Sequence, residues 1–139
     1  MSDQEKIRLI TELEETMRSF SKEFRRQLNE QLGEGFTSSE FAFLRAIREN
    51  SEQNVSCLAS TLNVSNSHAT SIMDRLEEKK LITRKRSKQD RREVVFQLTT
   101  CGAQIFERLH EKRSVYMQER FKKLSKKDLE ELLRIFHIL

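Results

Sequence analysis

Apolar side chains recur at helical spacing in the first part of the chain. Between residues 4 and 30 they return every three or four positions, which predicts one long amphipathic helix through Ile10, Leu13, Met17, Phe20, Phe24 and Leu28. Such a helix would be about 40 Å long at 1.5 Å per residue, which is more than a small domain can cover. Part of its apolar stripe therefore needs a partner surface. The segment "GEG" at 33–35 ends the helix as a loop.

A capping signal opens the next helix. In "TSSE" at 37–40 the Thr37 hydroxyl can accept from the backbone N–H three residues on, and Glu40 can reach back to the start. This pairing is a capping box. The helix that follows has Phe41, Leu44 and Ile47 at inward positions, and "NSEQN" at 50–54 ends it.

The following stretch predicts two short helices, about 56–62 and 66–79, joined by "NVS" at 63–65. Asn63 stands where the chain must turn sharply, and asparagine tolerates the left-handed conformation. Ser65 is a good N-cap for the second helix. Apolar or small residues occupy the positions where two crossing helices would meet: Leu58, Ala59, Leu62, Val64, Ala69 and Ile72. This layout is typical of a helix-turn-helix.

The outward face of the second helix is short, polar and basic. Such a face can approach base edges and phosphates in a major groove, and it comprises Ser65, Asn66, Ser67, His68, Thr70, Ser71 and Arg75. The alternative is a solvated face with no partner, but solvated helix faces usually favour glutamate and lysine.

Two strands and a basic tip follow. Residues 81–86 and 93–99 predict a hairpin, with Val95 and Gln97 on the face opposite to Val94, Phe96 and Leu98. A basic hairpin after a recognition-type helix makes a winged helix, and its arginines can enter a minor groove. The predicted wing contacts are Arg84, Arg86, Lys88, Asp90, Arg91 and Arg92. Asp90 cannot favour phosphate, so we expect it to pair with Arg92 and hold that side chain extended.

The remainder returns to helix, with Thr99 and "SKKD" at 125–128 as capping signals and Ile105, Phe106, Leu109, Tyr116 and Phe121 inward. The final "LEELLRIFHIL" is an apolar helix that should not be left exposed. Together with the N-terminal helix it predicts a dimer interface through Ile10, Leu13, Met17, Leu129, Leu132, Leu133 and Phe136.

The positive charge is concentrated in one segment. From residue 79 to residue 92 eight side chains are basic and one is acidic, a net charge of +7, whereas the whole chain carries +4. A basic patch on an otherwise slightly acidic protein predicts a polyanionic partner. The other interpretation is a solvated charge run.

Composition excludes several classes of protein. With 139 residues the chain suits one domain. It has 35% charged residues and a mean hydropathy of −0.70, with no apolar run long enough for a membrane and no signal peptide, so we expect a cytoplasmic protein. No phosphate loop, HExxH or GxSxG motif suggests an enzyme. His68, His110 and His137 are scattered, so no metal or other cofactor is predicted.

The two cysteines are too few for a disulfide framework, and we expect Cys57 and Cys101 to be reduced and buried, with Cys101 near Gly102. Cys57 begins a predicted helix, where the pKa of a thiol can be lowered. A thiol-based redox-sensing regulator therefore stays open as an alternative.

Residues 58–102 resemble the MarR family of bacterial transcription regulators, and the order of elements is similar over nearly the whole chain. The matching positions are Leu58 and Ala59, Val64 and Ser65, Thr70, Leu76 to Lys79, Arg84, Asp90 and Arg92, and Leu98, Thr99 and Gly102. Two positions depart from the family pattern. Lys80 replaces the usual glycine before the leucine of the first wing strand. Ser71 replaces a frequent arginine after Thr70, so the resemblance does not imply which bases are read.

The resemblance implies a mainly α fold with a small β-hairpin wing in a single domain. Residues 37–99 would form the DNA-binding lobe, with the helix-turn-helix at about 55–79 and the wing at 81–99, and residues 1–32 and 100–139 would dimerise. The implied function is a homodimeric regulator of double-stranded DNA, in most such proteins a repressor, associated with the nucleoid. Many of these proteins release DNA when a small phenolic or lipophilic effector enters a pocket between the dimer helices and the lobe. A sequence-tolerant architectural nucleic-acid-binding protein is the alternative.

Overall fold

The computed structural model describes residues 2–139, which form six helices and one two-stranded antiparallel sheet. The helices are α1 (Asp3–Leu32), α2 (Ser38–Glu49), α3 (Val55–Thr61), α4 (Asn66–Glu78), α5 (Thr100–Phe121) and α6 (Lys126–Ile138), and the strands are β1 (Ile82–Arg86) and β2 (Val94–Leu98). The predicted fold class, mainly α with a small β-hairpin wing, is confirmed.

Local capping explains where the helices begin. The predicted capping boxes at Thr37 and Ser125 are both present, and a third, not predicted, opens α1 at Ser2. The Ser65 hydroxyl accepts from the backbone N–H of His68. The Thr99 hydroxyl accepts from the N–H of Gly102 in the same way. Each cap satisfies a backbone donor that the first helical turn leaves without a partner.

The core lies where the end of α1, the helices α2 to α4, the hairpin and the start of α5 meet. Its fully buried side chains include Leu32, Phe43, Leu44, Ile47, Leu58, Ile72, Leu76, Phe96 and Leu109. Of the inward positions predicted on α5, Phe106 and Leu109 are buried, and Ile105, Tyr116 and Phe121 are half-buried. The packed core therefore lies in the lobe that α2 to α4 and the hairpin form, and the outer parts of α1 and α5 lie beyond it.

Two connections turn through the left-handed region without glycine. Asn63 has φ 55° between α3 and α4, as its position predicted, and Lys80 has φ 62° between α4 and β1. Lys80 thus adopts the conformation that glycine would favour at this point. The first turn of α5 packs tightly against the backbone of Leu81, because a Cβ on Gly102 would lie 1.9 Å from the Leu81 carbonyl oxygen.

The hairpin pairs Ile82 with Leu98 and Arg86 with Val94, so even-numbered residues share one face and odd-numbered residues the other. This is the facing that the sequence predicted. Burial is not restricted to one face, however, because Val95 is 1% exposed and Phe96 is 2% exposed. Both faces of β2 are therefore covered by the rest of the protein.

Apolar side chains remain uncovered at both ends of the chain. Helix α6 has no buried residue. All of the predicted dimer contacts are exposed: Ile10, Leu13, Met17, Leu129, Leu132, Leu133 and Phe136. Within residues 2–139, no helix combines the length and the apolar character needed to cross a membrane.

The prediction of buried thiols is wrong. Cys57 and Cys101 are both exposed free cysteines. Each stands in the first turn of a helix, α3 and α5, on the side away from the core. Neighbours such as Leu58 and Gly102 take the inward positions in these turns.

Candidate nucleic-acid interface

Helix α4 is divided cleanly into a buried side and an exposed side. Ala69, Ile72, Met73 and Leu76 are buried against the lobe. Because these positions are three or four residues apart, they share one face and turn the remaining side chains outward. Every recognition residue predicted on this helix is exposed: Ser65, Asn66, Ser67, His68, Thr70, Ser71 and Arg75.

Small residues let α3 and α4 approach closely behind that face. Ala59 is 2% exposed and Ala69 is 0% exposed. The backbone N–H of Val64 donates to the carbonyl of Ala59 at 2.9 Å, which tightens the turn between the helices. The predicted helix-turn-helix is therefore present, and α4 is its outer, recognition-type helix.

Ser65 combines capping with exposure at the start of α4. Its hydroxyl oxygen accepts from the N–H of His68 at 3.0 Å. A serine hydroxyl that accepts one bond still has its own proton to donate. Helix N-termini also favour anions through their free N–H groups and dipole. The first turn of α4 is thus suited to a phosphate or a base-edge acceptor.

The wing tip carries free positive charge. Arg86, Lys88 and Arg91, together with Ser87, line an open depression. In the part of the chain that the structure describes, residues 2–139, none of these three cations, nor Arg75 on α4, is paired with a carboxylate. Unpaired arginine and lysine side chains are available to neutralise phosphates.

Asp90 and Arg92 form the pair that the sequence predicted. The Asp90 carboxylate accepts from the backbone N–H of Arg92 at 3.0 Å and from its Nε at 3.2 Å. The backbone bond and then the side-chain bond hold the pKa of Asp90 below its usual range. The Arg92 side chain is 91% exposed, so Asp90 holds one edge of its guanidinium while the rest of the side chain stays open to a ligand.

Arg84, also predicted as a wing contact, is placed differently from the tip residues. Its Nε donates to the two carboxylate oxygens of Glu77 at 3.1 and 2.9 Å, and its Nη2 lies 3.4 Å from Asp74. Its guanidinium carbon is 5.5 Å from the centre of the Phe96 ring. Arg84 therefore joins β1 to the second half of α4, with a side chain that is 49% exposed.

A buried acid ties the C-terminus of α4 to α2. Glu40 is 2% exposed and accepts from Lys79 Nζ at 3.1 Å while it also completes the α2 capping box. The Lys79 ammonium lies 4.4 Å from the centre of the Phe36 ring. Although Lys79 belongs to the basic segment, its charge is thus partly used inside the lobe.

Three residues of the interface were missed by the sequence reasoning: Glu52 and Asn54 in the loop before α3, and Ser87 in the wing. The Ser87 hydroxyl donates to Glu52 at 2.9 Å, and Asn54 Nδ2 donates to Glu93 at 2.7 Å. These pairs are 35 and 39 residues apart in sequence, so periodicity gave no signal for them. Asn54 could have been recognised as an N-cap, since it stands three residues before Cys57 and accepts from its N–H.

The helix-turn-helix and most of the hairpin are also the segment that a known protein family matches. The MarR family model matches residues 36–94. An uncharacterised HTH-type transcriptional regulator named YpoP, from Bacillus subtilis (strain 168), is 33% identical over 131 residues, which are 94% of this chain and 93% of that protein.

Two solved structures share the fold. A cysteine-to-serine mutant of MarR from E. coli, complexed with operator DNA, superimposes with a TM-score of 0.81 at 28% identity and covers 92% of this chain and 93% of that one. The PcaV transcriptional regulator from Streptomyces coelicolor, in complex with its natural ligand, gives 0.75 at 19% identity over 88% of this chain and 86% of that one. Because its identity is only 19%, PcaV is similar to this chain in fold alone.

Proposed function

The chain belongs to the MarR family of transcriptional regulators, which are not enzymes, and from this we propose that it binds a pseudo-palindromic operator as a homodimer. Helix α4 enters the major groove and the wing enters the adjacent minor groove. The observation that carries the proposal is the exposed polar face of α4, which includes the unpaired Arg75, together with unpaired cations at the wing tip such as Arg86. The E. coli MarR mutant of the same fold was solved on its operator.

The uncovered apolar helices support the dimer. In a two-fold dimer the same surface of each copy faces its partner, and α1 and α6 offer side chains that are unfavourable to leave in water, with Leu133 58% exposed and Phe136 57% exposed. Two-fold symmetry then places two recognition helices in successive major grooves about 34 Å apart.

Repression and an effector complete the proposal, and both come from family membership. As a repressor the dimer would occupy its operator in the bacterial cytoplasm until a small phenolic or lipophilic compound entered between the dimer helices and the lobe. PcaV, which shares the fold, was solved with its natural ligand. Salicylate is a suitable first probe, and its effect is measured as release of the labelled operator.

The first experiment is selection of bound sequences from a random double-stranded DNA pool with the purified protein. A palindrome with half-site centres about ten base pairs apart is the expected result. Binding without enrichment of any sequence would instead establish the architectural alternative, in which the basic wing holds only the backbone.

Single substitutions test the assigned roles on the selected operator. Arg75→Ala or Arg86→Ala should weaken binding to every sequence and reduce the salt slope by roughly one unit for each phosphate that is no longer neutralised. Asn66→Ala or His68→Ala should change the preference among sequences by about 1 to 3 kcal/mol for each base that is no longer read. An Arg75→Ala protein with unchanged non-specific affinity would show that the roles are assigned wrongly.

Exposure of both thiols favours thiol sensing as a second candidate. Cys57 lies in the first turn of α3, so an oxidised adduct there would lie within the helix-turn-helix itself. The test is operator affinity before and after peroxide treatment, with Cys57→Ser and Cys101→Ser proteins as controls. Unchanged affinity after oxidation removes this candidate.

A further inference from the structure

The odd-numbered face of the hairpin is covered by the loop that joins α2 to α3. We name residues 50–54 the anchor loop. Lys85 and Val95 are paired on this face, Val95 is 1% exposed, and just beyond the strands the backbone N–H of Ser87 donates to the carbonyl of Glu93 at 3.0 Å. The Glu52 carboxylate accepts from Ser87 Oγ at 2.9 Å and lies 3.7 Å from Lys85 Nζ. Asn54 Nδ2 donates to Glu93 at 2.7 Å.

Ser87 passes this contact on to the wing tip. Its hydroxyl oxygen accepts from the backbone N–H groups of Gln89 and Asp90, at 3.1 and 3.3 Å, while its proton goes to Glu52. Asp90 in turn accepts from the backbone and the side chain of Arg92. One series of hydrogen bonds therefore runs from Glu52 through Ser87 and the tip turn to Arg92. Ser87 is 6% exposed, which shields its bonds from water.

The anchor loop is itself fixed to the helix-turn-helix. Gln53 donates to the carbonyl of Ala46 at 2.9 Å and accepts from Thr61 Oγ1 at 3.3 Å. Asn54 caps α3 through the N–H of Cys57 at 2.8 Å. Because the same loop bonds both to α3 and to the wing, it sets the position of one relative to the other.

We propose that Glu52 is a positioning residue for DNA recognition, which holds the Arg92-bearing wing tip at a fixed reach from the recognition helix through Ser87. The inference rests on the proposed DNA-binding function. A wing freed from Glu52 would have to be ordered again on binding DNA, and ordering side chains costs affinity. Loss of the hydrogen bond to Ser87 together with this ordering predicts a loss of affinity of about tenfold.

Two substitutions at one position separate placement from charge. Glu52→Ala removes both the charge and the hydrogen bond to Ser87, whereas Glu52→Gln removes the charge and keeps an amide oxygen that can accept. Glu49→Gln is the matched control, because Glu49 is an exposed carboxylate at the end of α2. Removing an acid near DNA should by itself strengthen binding, so a loss of affinity in Glu52→Ala opposes the electrostatic expectation.

The measurement is footprinting of the full-length protein on its selected operator, with hydroxyl radicals for the minor groove and methylation for the major groove. For Glu52→Ala we expect minor-groove protection by the wing to disappear, major-groove protection by α4 to remain, and affinity to fall about tenfold. Glu52→Gln and Glu49→Gln should keep both protections. Thermal unfolding verifies that each variant is folded, and Ser87→Ala provides the same test if Glu52→Ala is not.

Two results would overturn the inference. Wing protection that persists in Glu52→Ala and Ser87→Ala would show that the tip needs no anchor. Equal losses in Glu52→Gln and Glu52→Ala would show that charge, not the hydrogen bond, is what matters. Failure of the proposed function looks different, because the wild-type protein would then protect no sequence at all.

Discussion

Replacing Arg84 with methionine distinguishes a DNA contact from an internal clamp. Methionine keeps an unbranched stem that can cover the Phe96 ring and removes the guanidinium. In the structure this guanidinium bonds with Glu77 and approaches Asp74 on α4. The sequence assigned Arg84 to the DNA-binding wing, whereas its partners suggest that it neutralises two acids that would otherwise repel phosphate.

The expected effect on folding is small. Arg84, Asp74 and Glu77 have side chains that are 49%, 60% and 37% exposed, so water screens both pairs. Exposed ion pairs contribute about 0.2 to 1 kcal/mol each, and an exposed cation over a ring about 0.5 to 1 kcal/mol. We therefore expect Arg84→Met to reduce the free energy of unfolding by about 1 kcal/mol, measured by urea denaturation.

The effect on DNA should be indirect and therefore reversible by a second change. Arg84→Met uncovers Glu77, so operator affinity falls. Glu77→Gln removes that carboxylate, so the double variant should recover most of the loss. A double-mutant cycle reports this coupling directly. The assay is fluorescence anisotropy of the labelled operator across a series of salt concentrations.

A direct phosphate contact would give the opposite pattern. The salt slope of Arg84→Met would then fall by about 0.9, because one phosphate would no longer be neutralised. Adding Glu77→Gln would change operator affinity equally in the wild-type and Arg84→Met proteins, so the loss caused by Arg84→Met would remain. That combination would refute the clamp and return Arg84 to the set of residues that touch DNA.

Three further changes test other parts of the structure. Gly102→Ala places a Cβ 1.9 Å from the Leu81 carbonyl oxygen, and this overlap should lower the free energy of unfolding by about 1 to 3 kcal/mol; a urea midpoint equal to that of the wild type would contradict the close approach. Bonds from Arg92 lower the pKa of Asp90 below its ordinary value of 3.8. The stabilisation by this pair is therefore complete above pH 3.8 and is lost as the pH falls through the lower pKa of the folded state. The chemical shift of the Arg92 Nε–H, followed by NMR across pH, should change with a midpoint below 3.8. Phe136→Asp places a charge in both halves of the proposed two-fold interface and should weaken dimerisation on the order of 100-fold, which sedimentation velocity detects as a monomer.

The elements that could be predicted from the sequence are those specified by near neighbours. The capping box at Thr37 and the caps at Ser65 and Thr99 depend on residues only three positions apart. The exposed face of α4 follows from helical periodicity, because the buried positions Ala69, Ile72, Met73 and Leu76 leave only one side free. The Asp90–Arg92 pair could also be predicted, because its two residues are only two positions apart.

Contacts between distant segments could not be predicted in the same way. Glu52 and Ser87 are 35 residues apart, and nothing in either segment specifies that they meet. Arg84 was predicted to contact DNA because the sequence shows its charge but does not show that Glu77 already pairs with it. The thiols were expected to be buried because cysteine is usually buried, but the first turns of α3 and α5 place them outward.

The contacts on the two faces of the hairpin together determine what can move. On the even-numbered face Arg84 bonds with Glu77 of α4, and on the odd-numbered face Ser87 bonds with Glu52 of the anchor loop. Because the hairpin is bonded on both faces, we expect it to move together with the recognition helix and not independently of it. Helix α6, by contrast, has no buried residue in the single chain. In the proposed dimer, an effector would therefore act most easily by shifting each whole lobe relative to the helices proposed to dimerise, which changes the distance between the two DNA-binding surfaces while each surface stays intact.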